Sequence, residues 1–89
     1  MGGMQFFYRI TLLEGRGESG MYRFEECSIP HGEEAPSPVP YRNIGTSLDY
    51  FHLMKRLFGP VREEAGQRIS ELSPSNPVAE LYHDHHSSI

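Results

Sequence analysis

The chain has a single cysteine, no tryptophan, one lysine and no long apolar run. Each shortage excludes something. Cys27 alone cannot close an intramolecular disulfide, so the staples of small secreted domains are missing. A membrane-spanning helix needs roughly 20 consecutive apolar residues, and no stretch approaches that. The opening MGGMQFF lacks the basic region and small-residue cleavage site of a signal peptide. Phe6 stands where a myristoylation motif wants Ser or Thr, and Met4 is a candidate natural start. A cytoplasmic location is the expectation. Basic excess is lacking too: 8 Lys and Arg against 12 Asp and Glu leave a net charge of −4. That balance disfavours a general nucleic-acid binder, which neutralises phosphates with a basic surface.

What is present suits one small folded domain. Eighty-nine residues with 37% hydrophobic content support a single modest core and do not resemble the charged, apolar-poor composition of disordered chains. The most fully specified stretch is 46–60, TSLDYFHLMKRLFGP. Thr46 and Asp49 have capping-box spacing, and Gly59-Pro60 is a stop signal. At about 100° per residue, Tyr50, Phe51, Leu53, Met54, Leu57 and Phe58 share an arc, which predicts an amphipathic helix.

Upstream, QFFYRITLLE over 5–14 alternates with a period of two: Phe6, Tyr8, Ile10 and Leu12 share one face. Phe7 and Leu13 fall on the other. GRGESG over 15–20 reads as a hairpin loop. A second strand, Met21 to Ile29, places Tyr22 and Phe24 in one phase and Cys27 and Ile29 in the other. A bulge near Glu25 and Glu26 would join the phases. Prolines 30, 36, 38 and 40 make 30–44 a surface connection, with room for a short third strand around Tyr41. Pro60 suits the start of a second helix to about Leu72, carrying Val61, Ala65, Ile69 and Leu72. Asn76-Pro77 suits the start of a short third helix bearing Val78, Leu81 and Tyr82.

The expected fold class is therefore α+β: a small antiparallel sheet, a β-hairpin with a possible third strand, packed by two to three C-terminal helices. As one domain over 1–89 it divides into a hairpin at 4–29, a proline-rich loop at 30–45, a helical part at 46–83 and a flexible tail at 84–89. A lone hairpin is marginal in water. The first strand then needs either the third strand or a partner chain along its edge, which makes a homodimer an expectation.

Candidate sites are sparse. His83, His85 and His86, with Asp84, supply metal-ligating side chains, and Cys27 with His31 supplies others, but the spacing matches no established zinc motif. They are weak metal candidates beside the plainer reading of a solvated tail, and no cofactor is expected. Cys27 and His31 lack evident catalytic geometry, a strand cysteine is more often a small buried hydrophobe, and no enzyme is expected. GRGESG lacks the Gly-Lys-Ser/Thr ending of a phosphate loop. Glu25-Glu26, Glu33-Glu34 and Glu63-Glu64 are sequence neighbours that do not face each other.

Seven of the eight basic residues are arginines, and Arg9 and Arg23 share the odd strand face with Phe7. Together with the proline-flanked Tyr41, these are the candidate partner-binding residues, since aromatics and arginine are enriched at interfaces. The expected function is a non-enzymatic protein–protein interaction, accessory or inhibitor module acting through an exposed sheet face or strand edge. Single-stranded nucleic acid on the same face is the alternative; a metal-binding module at the histidines is a third. The plainer reading of the arginines is that they pair with Glu14 and Glu25 across the hairpin.

Overall fold

The computed structural model describes residues 2–47 and 62–85. In chain order the elements are β1 (Met4–Glu14), β2 (Met21–Pro30), β3 (Arg42–Ser47), α1 (Arg62–Ser70) and β4 (Val78–His85). The strands form one antiparallel sheet in the order β3-β2-β1-β4. Among the described residues no helix is long and apolar enough to cross a membrane.

This overturns the expectation of two to three helices laid on a hairpin: the described residues are mostly sheet, with one short α-helix. Thr46, expected to cap a helix, is a β3 residue opposite Arg23. The remainder of that expected helix lies outside the described residues. The expected terminal helix is strand β4, and Asp84 and His85, expected in a tail, are its last residues. Pro77 suits the approach to an outer strand as well as the first turn of a helix. Its carbonyl accepts a hydrogen bond from the Leu12 amide at 2.6 Å, extending the ladder between β1 and β4.

The period of two in β1 does specify a strand, and its place in the sheet explains why Phe7 is tolerated on the second face among Gln5, Arg9 and Thr11. It lies between β2 and β4, with one face in the core and the other partly covered by the proline-rich loop. On one face Tyr8, Ile10 and Leu12 join Tyr22 and Phe24 of β2 and Leu81 of β4 in the core. Helix α1 closes that face with Ala65 and Ile69, followed by Leu72, at spacings of four and three. Glu63 and Glu64 lie in its first turn and Arg68 in its last, each matching the helix dipole.

β2 needs no bulge to accommodate its two phases. Its register with β1 runs unbroken from Pro30 opposite Met4 to Tyr22 opposite Leu12. Beyond it the extra residue, Leu13, belongs to β1; on the other side of β2 Phe24 faces Gly45 and Glu25 faces Asn43, so the extra residue there, Ile44, belongs to β3. Asn43 Oδ1 accepts from the Gly45 amide at 2.8 Å and holds that kink. The hairpin loop turns through Gly15 at φ 76°, and a side chain at Gly20 would meet the Tyr22 ring at 2.8 Å. The Tyr22 hydroxyl donates to the Gly17 carbonyl at 2.9 Å.

Candidate functional site

The second face of the sheet is crossed by the proline-rich loop, which several contacts hold down. The Gln5 side-chain amide donates to the carbonyls of Pro30 at 3.0 Å and Glu33 at 2.8 Å. The His31 amide donates to Gly3 at 2.9 Å, and the His31 ring lies 2.8 Å from Asp84 Oδ1 across the sheet. The Tyr82 hydroxyl donates to Gln5 Oε1 at 3.1 Å.

At the centre of this face is Glu25, 9% exposed and the one buried charged residue recorded among the described residues. Arg9, its cross-strand partner, donates to both carboxylate oxygens, Nε at 2.9 Å and Nη2 at 2.8 Å. This two-pronged pairing matches planar guanidinium to planar carboxylate. Arg23 Nε, buried and making no hydrogen bond among the described residues, completes an ion pair at 3.5 Å. The hydrogen bonds from Arg9 hold the Glu25 carboxyl below its ordinary range, against the opposing effect of burial. The Arg9 guanidinium also lies over the Tyr41 ring, 4.5 Å from its centre.

Beside this cluster is an open groove of about 430 Å³. Phe7 and Arg9 of β1 and Glu80 and Tyr82 of β4 form its floor, and Pro38, Val39 and Tyr41 of the loop form its wall. The Phe7 and Tyr82 rings are tilted at 46° with centres 5.1 Å apart, and Tyr82 is 49% exposed. Tyr41's phenol is pushed up, first by burial and then by the nearby Glu80 carboxylate. Glu80 itself forms no ion pair with a described residue.

The four sequence-predicted residues thus share one face. Phe7, Arg9 and Tyr41 line the groove, while Arg23 stands apart from it across Glu25. The plainer expectation for the arginines also appears, in altered form: both engage Glu25, and neither forms an ion pair with Glu14. Glu25 and Glu26 point to opposite faces, as strand neighbours must. Glu26 joins the core side, 3.2 Å from Arg42. There, burial foremost and then the Glu26 carboxylate push the Tyr8 phenol up to about 12. Glu80 and Tyr82 escaped the sequence pattern because 78–82 fits a helix as well as a strand; a period-two reading would have put both on the face with Phe7.

The histidines lie elsewhere. His83 and His85 stack on the core side of β4 with ring centres 6.0 Å apart, His83 also stacking on Phe6 at 6.4 Å. His83 Nε2 is buried without a hydrogen-bond partner among the described residues. His86 lies outside the described residues, and among these no group of three or more His, Cys, Asp or Glu side chains could hold a metal ion. Cys27 is buried opposite Phe7. Compared with known proteins, the chain matches no family model, no curated protein and no solved structure.

Proposed function

We propose that this chain is a non-enzymatic interaction module, an accessory or inhibitor protein, that docks a protein partner on the loop-crossed face of its sheet. The observation that carries the reading is the groove in which Phe7 and the half-exposed Tyr82 lie beside the Arg9–Tyr41 stack. Aromatic rings and a preorganised arginine are the side chains on which interfaces concentrate their binding energy. Affinity comes from covering the aromatic rings of this floor, and the covered partner surface is thereby occluded. Because Glu80 and Tyr82 belong to β4, an outer strand, a partner segment can also pair along that strand, adding main-chain hydrogen bonds to side-chain selectivity. A second copy of the chain can use the same margin.

The rival use of this face, single-stranded nucleic acid, is less well supported. Both arginines are turned onto Glu25, so a phosphate would have to displace a bound carboxylate. The buried Cys27 thiol likewise offers little to an incoming substrate.

Affinity capture from the native host with wild-type chain and the double variant Phe7→Ala/Tyr82→Ala tests the proposal. One partner retained by wild type and lost by the variant, with circular dichroism unchanged, is the expected result. Equal capture by both, or retention of a polynucleotide that falls steeply with salt, overturns it.

A further inference from the structure

The groove has a charge preference of its own. Arg9, the one cation lining it among the described residues, has its charge met by the Glu25 fork and the Tyr41 ring, with Glu80 opposite it on β4. An incoming anion would have to break that fork. Glu80, by contrast, forms no ion pair with a described residue, and it lies beside the exposed Tyr82 ring. An aromatic face next to a carboxylate that forms no close ion pair among the described residues is the pairing that holds a guanidinium or ammonium group.

The surroundings agree in sign. Glu33 and Glu34 are exposed on the loop that walls the face, and the whole chain carries −4, which draws basic segments toward it. Pockets that enclose whole small ligands run from about 300 to 1,000 Å³, so a groove of about 430 Å³ accepts one long side chain with some of its backbone. Resting on the docking role of this face, we propose that the groove receives an arginine or lysine side chain of the partner, seated against Tyr82 and Phe7 with Glu80 as its counter-charge.

The test is a ¹H–¹⁵N NMR titration of the full chain with acetyl-Gly-Arg-Gly-amide and with its citrulline counterpart, which keeps the shape and loses the charge. Saturable shifts at Phe7, Glu80 and Tyr82 are expected for the arginine peptide. Affinity should fall at least tenfold with citrulline and at least tenfold with Glu80→Gln, whose melting temperature should match wild type. Equal binding of the citrulline peptide, shifts confined to α1, or an unaltered titration with Glu80→Gln overturns the inference, as does tighter binding of oligouridylate at the same resonances. The two levels separate cleanly. If Phe7→Ala/Tyr82→Ala abolishes capture of the host partner while Glu80→Gln changes neither capture nor peptide binding, the docking face stands and the basic side chain falls. If capture survives both variants, the docking face falls with it.

Discussion

At the scale of single residues, Glu25 carries the most consequence. A carboxylate almost out of water is tolerated because Arg9 meets both oxygens and Arg23 stands at 3.5 Å. Replacing it by Gln should cost about 2 kcal/mol, in line with the loss of charge-assisted hydrogen bonds, measured by urea denaturation at pH 7. The sign of the pH dependence follows from the lowered Glu25 pKa. The folded chain holds this proton less tightly than the unfolded one, so the contribution is complete above the ordinary value of 4.5 and is lost as pH falls through the lower folded value. Acid titration of stability should therefore be flatter for Glu25→Gln than for wild type. Tyr8 acts at the other end of the scale. Its pKa, raised from 10.0 to about 12, means full stabilisation below pH 10 that is lost on passing through about 12. That loss is on the order of 2–3 kcal/mol, and Tyr8→Phe should remove it from an alkaline denaturation series. The Arg9, Arg23 and Phe7 placements were legible because period-two alternation fixes a strand's faces whatever its neighbours. Glu25 was not singled out as a centre, since its burial depends on where the loop runs.

At the scale of elements, β4 shows where local pattern stops deciding. Eight residues from Val78 to His85 satisfy a helical spacing through Val78, Leu81 and Tyr82 and a strand spacing through Ala79 and Leu81. The choice is made far away in sequence, by the open edge of β1, which takes β4 in register from Thr11 opposite Val78 to Met4 opposite His85. Thr46 was misassigned for the same reason: a capping-box match is local, and pairing with Arg23 is not. α1 was legible through Ala65, Ile69 and Leu72 because steps of four and three stay on one helix face, whereas the step of three would change faces on a strand. A pair of substitutions separates the two geometries for β4. A helix would put Leu81 and Tyr82 on one face; the strand puts Leu81 in the core at 4% exposed and Tyr82 outside at 49%. Leu81→Asp should cost more than about 3 kcal/mol, or prevent folding, through a buried unpaired charge, whereas Tyr82→Asp should cost about 1 kcal/mol or less. Similar losses from both in thermal melts would contradict the strand. On the facing helix, Ile69→Ala should lower stability by about 2–4 kcal/mol, and Gln67→Ala, exposed on the same helix, by less than about 0.5 kcal/mol.

At the scale of the whole molecule, the sheet is used twice. One side is sealed by α1 into the core, and the other is crossed by a loop that leaves a groove beside Tyr82. With Arg9 and Arg23 turned onto Glu25, this face is proposed to take a basic protein segment rather than a phosphate backbone. The most direct measurement of this claim is site-specific photo-crosslinking in native host extract, with a benzophenone side chain in place of Tyr82 and, as control, in place of Glu63 on the opposite, helix-bearing side. A single discrete adduct from position 82, absent from position 63 and suppressed by excess unlabelled chain, is the predicted result. Equal adducts from both positions, or an adduct from position 63 alone, would contradict it.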